Sequence, residues 1–395
     1  MPKQRRHHGD DLRGASRLAV EATRGVTALI EEMHATIASG PAILGKPLAV
    51  PAKLATGIVY GTIRGVAQIV GAGIDLALAQ LAPLLGASAP GTDREIVLGV
   101  LNGVLGDYLV EHDNPLAITM QLRDHGDSID PRVALPRATS KLAILVHGLC
   151  GTDHDFVRYG PDLGAAVERD LGYTAIYPHF NSGLHVSTNG RQLATLVDEL
   201  VTAWPVALDE IVLIGHSMGG LVARSAVHIA ELEQMSWRKK LRTLITLGAP
   251  HHGAPLERGG SWLDLLLAVS RYSAPLRRLG RIRSSGITDL RYGNVADHDW
   301  HGRDRFDHGS DPRQLVPLSA DVACYAVAGT LSPQPGGKLR NDGIIPVDSA
   351  LGLHDKPELV LAFPDTNRMI AYGVGHTDLL GSAPVYAAIR GWLTR

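Results

Sequence analysis

The stretch that most constrains this chain is residues 210–221, Glu-Ile-Val-Leu-Ile-Gly-His-Ser-Met-Gly-Gly-Leu. Ile211 to Ile214 are apolar and β-prone, which predicts a short buried strand. Gly215-His216-Ser217-Met218-Gly219 follows at once, and Leu221 to Ala230 has helical spacing. A G-x-S-x-G run carries meaning only in that strand–turn–helix context, because 44 glycines make chance matches common. So sharp a turn strains the backbone at Ser217, and large side chains two positions either side would clash. Gly215 and Gly219 remove the clash, and the N-terminal N–H groups of the helix face any negative charge formed at the serine. The alternative is a glycine-rich strand-to-helix turn in a non-catalytic sheet.

The rest of the chain falls into two characters. From Lys141 onward, strand-like segments at 142–146, 174–178, 211–214, 243–247, 322–328 and 368–373 alternate with helical patterns at 160–171, 188–203, 218–232 and 383–393. That alternation predicts an α/β fold, a mainly parallel sheet covered by helices on both faces. Ala117 to Arg123 predicts an edge strand, with a turn at 124–127. Residues 253–320 are too long for a simple crossover and hold an amphipathic helix, Trp262 to Val269, plus a polar tract; they are expected to form a cap over the strand ends. The His- and Asp-rich run from Asp297 to Asp311 has no regular ligand spacing and predicts a solvated cap loop.

Residues 1–112 predict an all-helical N-terminal region, leaving 113–395 as the catalytic domain. Leu18, Ala22, Val26, Leu29, Ile30, Met33 and Ile37 share one face of a helix over 15–39. Residues 55–86 are apolar, with Gly57, Gly61 and Gly65 at a spacing that lets helices pack closely. Arg64 and Asp75 interrupt the run before it reaches the roughly 18 uncharged residues of a span, so a buried or membrane-surface helix is expected. A third helix starts at Thr92 with Glu95 three residues on, a capping-box pattern, and carries the stripe Val97, Leu101, Val104, Leu105 and Tyr108.

Composition excludes some classes. A net charge of −2 and no aromatic-interleaved basic stripe argue against nucleic-acid binding. Two cysteines, Cys150 and Cys324, make no disulfide framework and show no metal spacing, which is compatible with a reducing compartment. No apolar run follows the basic N-terminus, so no secretory leader is expected. The expected location is cytoplasmic, with peripheral membrane contact through the N-terminal helices as one role for their apolar faces. Oligomeric state is undetermined.

A serine hydroxyl needs a base to take its proton, and the base needs a carboxylate to fix its tautomer. In an open α/β sheet both should follow the serine, at the ends of later strands, in the order Ser, Asp, His. Asp342 in Arg-Asn-Asp-Gly-Ile-Ile-Pro-Val and His376 in Tyr-Gly-Val-Gly-His-Thr-Asp meet that order. Asp348 in the same loop and His354 before the last strand are weaker candidates. A tetrahedral intermediate also needs backbone donors for its oxyanion. Met218, next to the serine, should supply one, and Leu149 in the turn Val-His-Gly-Leu-Cys-Gly (146–151) the other. Cys150 has no assigned base and is expected to pack as a small hydrophobe. Asn181 and His185, after the strand at 174–178, are placed to line the substrate entrance; equally, the neighbourhood of Thr188 could simply cap the next helix.

Together, Val-His-Gly-Leu-Cys, Gly-His-Ser-Met-Gly-Gly, Leu-Gly-Ala-Pro-His-His-Gly (247–253) and Asn-Asp-Gly-Ile-Ile-Pro-Val resemble the α/β-hydrolase superfamily. Within it the chain resembles bacterial triacylglycerol lipases and esterases, including the GPI-inositol-deacylase-like group, over roughly residues 115–395. The resemblance implies Ser217 as nucleophile, Asp342 as acid, His376 as base, and Leu149 and Met218 as oxyanion donors. It implies a serine carboxylester hydrolase acting on apolar acyl esters with no cofactor. Some such lipases hold a calcium with an aspartate two residues after the histidine, here Asp378, but no second carboxylate aligns and no metal is assigned. The same groups would serve a thioesterase or amidase, and a non-catalytic lipid-binding module on the same scaffold is the alternative of another class.

Overall fold

The computed structural model describes residues 91–254, 284–304, 311, 313–336 and 339–395, excepting the side chains of residues 91–93 and 158. The helices expected over 15–39, 55–86 and 262–269 lie outside these residues. The described elements run α1 (Gly91–Glu111), β1 (Gln121–Asp124), β2 (Asp127–Ile129), β3 (Lys141–Val146), α2 (Leu163–Leu171), β4 (Thr174–His179), α3 (Val186–Thr202) and β5 (Glu210–His216). They continue with α4 (Met218–Leu232), β6 (Leu241–Leu247), β7 (Ala323–Thr330), β8 (Arg368–Tyr372) and α5 (Ala383–Leu393), with shorter helical turns between.

One eight-stranded sheet has the order β2-β1-β4-β3-β5-β6-β7-β8. The ladders from β4 through β8 are parallel, and β1 joins β4 and β2 antiparallel. The parallel strands are buried on both faces, and their side chains alternate between two cores with period two. Leu142, Ile144 and Val146 of β3 and Ile211 and Leu213 of β5 point into one core with residues of α1, α3 and α4. Ala143, Leu145, Val212 and Ile214 point into the other with residues of α2 and α5.

Two departures from the sequence reading have a physical cause. The edge strand begins at Gln121, not Ala117, because donors before it are engaged elsewhere: Ile118 N–H bonds the Asn102 side chain (2.8 Å) and Ala117 N–H the Asn114 carbonyl (2.9 Å). Helix α1 is buried on every side from Ile96 to Gly106, where periodicity suggested a single stripe. The Glu95 carboxylate pairs with Arg123 of β1 at 2.6 Å, and the expected cap at Thr92 lies outside the described side chains. Among the described residues, no helix is long and apolar enough to cross a membrane.

Asn102 is the polar bolt of α1. Its amide donates to the Leu98 and Leu116 carbonyls, both at 2.9 Å, and its oxygen accepts from Ile118. Truncating it would leave a buried N–H and a buried C=O without partners, at about 1–3 kcal/mol each. Asn102→Ala is therefore expected to lower unfolding free energy in urea by about 2 kcal/mol or more; an unchanged midpoint would show that this anchor is dispensable.

Candidate active site

The site forms where β3, β5, β6 and β7 end. At the end of β5, Ser217 sits at φ 54°, ψ −127°, a conformation costly for any residue but glycine. The glycines two positions either side make it feasible. A Cβ on Gly215 would lie 2.5 Å from the Gly220 Cα, and one on Gly219 would lie 2.1 Å from the Val146 carbonyl oxygen. The Ser217 N–H donates to the Leu247 carbonyl at 2.8 Å, tying the turn to the end of β6. Only 8% of Ser217 is exposed.

After β8 the chain turns back across the sheet edge. His376 N–H donates to the Asp342 carbonyl (2.9 Å), and its Nδ1 stands 2.7 Å from the Asp342 carboxylate. The other Asp342 oxygen accepts from the Ile344 and Ile345 N–H groups at 2.9 and 2.6 Å. Burial alone would raise the Asp342 pKa, but His376 and these donors outweigh it and hold the carboxyl below its ordinary value. With Nδ1 engaged by a carboxylate, Nε2 is the nitrogen left for proton transfer. Asp348, by contrast, is exposed, and the His354 Nδ1 accepts from the Lys356 N–H in a loop.

Two neighbours of this pair lie in motifs already noted, but the motifs do not reveal their roles. His216, beside the serine, approaches the His376 carbonyl through Nε2 (3.0 Å), with the two rings 4.8 Å apart. Gly248, at φ 60°, lets the chain pass under the His376 ring: a Cβ there would lie 3.1 Å from Nδ1. The signals for His216 are its place in the Gly-His-Ser-Met-Gly-Gly run and its adjacency to Ser217.

The turn after β3 brings Gly148 against the serine, so that a Cβ on Gly148 would lie 2.9 Å from the Ser217 Cβ. Leu149 and Met218 are both buried, and their amides have no backbone acceptor among the described residues outside regular elements. Cys150 is in the left-handed region (φ 58°) and its N–H donates to the Ser182 hydroxyl at 2.9 Å. Burial pushes the Cys150 thiol far above its ordinary pKa, the opposite of an activated nucleophile.

Asn181 and His185 each make contacts that tie distant segments together. Asn181 is buried; its amide donates to Gly106 of α1 (3.0 Å) and its oxygen accepts from the Gly183 N–H (3.0 Å). His185 stacks on Trp300 at 3.7 Å and contacts the buried Asp289 at 3.1 Å, joining the segment before α3 to residues 289–300. Within the polar tract, Asp297 is exposed but Asp299 is buried, accepting from the Val295 and Ala296 N–H groups. Asp378 is exposed and accepts from Gly375 N–H at 3.3 Å, so it contributes a loop contact. The described residues whose ligand atoms cluster as a metal site would need are Glu95, Asp153 and His154, and there Arg123 already contacts both carboxylates at 2.6 and 2.9 Å.

A mainly parallel sheet with a strained serine after its central strand, and an aspartate and a histidine after later strands, is the arrangement of the α/β-hydrolase fold. Comparison with known proteins finds likeness over parts of the chain. The family of the PGAP1-like alpha/beta domain matches residues 179–313. A triacylglycerol lipase of Pseudarthrobacter phenanthrenivorans is 32% identical over 123 residues, 30% of this chain and 35% of that protein. A GPI inositol-deacylase of Emericella nidulans is 48% identical over 46 residues, 12% of this chain and 4% of that protein. The matches thus cover about a third or less of these relatives' lengths. The mature Bacillus licheniformis lipase BlEst2 superposes with a TM-score of 0.43 at 18% identity, over 70% of this chain and 98% of that one, too loosely to add weight. Over these parts of its length the chain is similar to lipases and to GPI inositol-deacylases.

The buried histidines make the site acid-sensitive. Burial, then the neighbouring His376, lowers the His216 pKa to about 3, and burial lowers that of His147 to about 4. Unfolded histidines titrate near 6.5, so between those values the unfolded chain binds more protons than the folded one. Stability is complete above about pH 6.5 and falls as pH drops, with His216 alone costing about 2 kcal/mol by pH 5. Asp342 adds its own loss only below the ordinary carboxylate range. Urea unfolding at pH 7 and pH 5 should show this loss, and His216→Gln should shrink it; an equal difference in both proteins would exclude His216 as a source.

Proposed function

We propose that the protein is a serine carboxylester hydrolase acting on lipid esters of apolar acyl chains. The observation that carries the reading is the Ser217 turn set beside the His376–Asp342 pair. In the proposed reaction, Ser217 Oγ attacks the ester carbonyl carbon while its proton passes to His376 Nε2. The carbonyl oxygen becomes an oxyanion facing the Leu149 and Met218 N–H groups. The bond to the alcohol then breaks, the leaving alkoxide takes the proton from His376, and an acyl-enzyme remains on Ser217. Water, deprotonated by His376, attacks the acyl carbon, and Ser217 leaves with the proton returned to it. Asp342 holds Nδ1–H throughout and stabilises the imidazolium.

Support for a lipid ester comes from the relatives, whose names, triacylglycerol lipase and GPI inositol-deacylase, both place an acylated lipid with those proteins. In this reading residues 253–320 are the cap, residues 1–112 precede the catalytic domain, and the N-terminal helices contact lipid. Co-sedimentation of the full chain with liposomes tests the last point, and a protein left wholly in the supernatant would refute it.

The catalytic assignment makes a ranked expectation. Ser217→Ala should lose fluorophosphonate labelling and lower turnover of ester substrates by about three orders of magnitude or more. Asp342→Asn should lower kcat by up to about four orders, because an amide favours the wrong tautomer of His376. Asp348→Asn, at an exposed position, should cost far less. Residual turnover of more than a few per cent in Ser217→Ala, or the reverse ranking of the two aspartates, would overturn the assignment.

A further inference from the structure

Helix α1 meets the catalytic machinery through its backbone. Gly99, Gly103 and Gly106 lie on one face at spacings of four and three residues, and the loops after β3 and β4 press against it. A Cβ on Gly103 would lie 2.3 Å from the Cys150 Sγ and 2.9 Å from both the Cα and the N of Cys150. One on Gly99 would meet Thr152 at 2.9 Å, and one on Gly106 would lie 1.8 Å from the Asn181 side-chain oxygen. From the other side, a Cβ on Gly183 would lie 2.2 Å from the Asn102 carbonyl oxygen. The helix cannot retreat easily. Ser284 donates to the Gly103 carbonyl (2.6 Å), Ser285 donates to Asp107 through N–H and hydroxyl (2.9 Å each), and Asn102 fastens residues 116–118.

What α1 presses on is the residue after the oxyanion donor. Cys150 holds a left-handed backbone, which for a side chain with a Cβ persists only where the surroundings enforce it. Its N–H is held by Ser182, and the Gly151 N–H closes the turn on the Gly148 carbonyl at 3.2 Å. Fixing the 149–150 peptide plane and the Cys150 torsion leaves the Leu149 N–H one peptide away with little freedom.

We propose that α1 is a buttress for the oxyanion loop, with Gly103, Cys150 and Ser182 acting as positioning residues that aim the Leu149 N–H. The inference rests on the Ser217 hydrolase reading and adds to it a role for a helix outside the sheet. A methyl group at residue 103 must displace Cys150, because the helix is bolted on its other side. Since an oxyanion donor acts on the transition state, the displacement should appear in kcat and not in KM.

The test uses the full chain, a short soluble p-nitrophenyl ester, and fluorophosphonate titration to count active sites. For Gly103→Ala, kcat per titrated site should fall about tenfold or more while KM stays within about twofold. Gly391→Ala, on α5 where a Cβ meets nothing within 4 Å, is the helix-glycine control and should leave kcat unchanged. In a Cys150→Gly background, which removes the colliding sulfur and tolerates the left-handed backbone, the penalty of Gly103→Ala should shrink. A loss confined to KM or to the titrated fraction, or an equal loss in both backgrounds, overturns the proposal. If Gly103→Ala gives no folded protein, Ser182→Ala decides: it removes the acceptor for the Cys150 N–H without adding bulk. A fall in kcat per site at constant KM supports the buttress, and an unchanged kcat overturns it. Failure of the wild-type protein to take the label would instead remove the hydrolase reading, and the inference with it.

Discussion

The conformation of one residue organises the site. Ser217 at φ 54°, ψ −127° is tenable only because the chain on every side gives way or holds. Gly219 allows the first turn of α4 to pass within contact of the Val146 carbonyl, and Gly148 allows the turn after β3 to come against the serine side chain. The Leu247 carbonyl at the end of β6 accepts the serine N–H. Strain of this kind, of order 1–3 kcal/mol per residue, survives only where neighbouring structure over-determines it. Here the neighbours are the ends of three parallel strands, buried on both faces. The strand order therefore fixes the backbone at the site, and it does so before any catalytic side chain is considered.

The His376–Asp342 pair is held by a different logic. Its members come from separate loops, and what joins them is a dense set of hydrogen bonds: His376 N–H to the Asp342 carbonyl, His376 Nδ1 to one carboxylate oxygen, and two loop N–H groups to the other. A buried carboxylate without such donors would carry a raised pKa; with them it is kept ionised. His216 supports the histidine from below through its backbone carbonyl. Because His216 adjoins Ser217, the same strand end that strains the serine also carries support for the base.

Much of this was legible in the sequence, because the signals are short-range. Mainly apolar runs of four to seven residues with turn residues between them locate every parallel strand, and the glycines around Ser217 state the steric demand of the turn. The order of Asp342 and His376 after the serine follows from strand-end placement. What was not legible depends on contacts between distant segments. Periodicity gives α1 one stripe, yet its glycines also bury a second face against Cys150 and Asn181, which no local pattern reports. Asn181 reads as a polar residue near an entrance because its partner, Gly106, is 75 positions away. Asp299 reads as solvated among its polar neighbours, although two local N–H groups capture it in the interior.

The glycines of α1 and those around Ser217 solve one problem at two places. Catalysis at a serine needs a nucleophile, a base and an oxyanion donor converging within a few ångströms, and each is carried on backbone that must approach other backbone closely. Side chains keep chains apart, so such convergence needs positions without them. In the turn after β5 those positions are close in sequence and form a recognisable motif. At α1 they lie on a helix some 50 residues before the loop they touch, and they form a motif only in three dimensions. The two sets also fail differently. A side chain at Gly219 meets backbone of a central strand, and nothing there can yield without breaking the sheet. A side chain at Gly103 meets a loop that can shift, so the fold has a way to accommodate it and the geometry of the loop bears the cost. Tolerance of the fold and intolerance of the site would then separate at Gly103, as they cannot at Gly219.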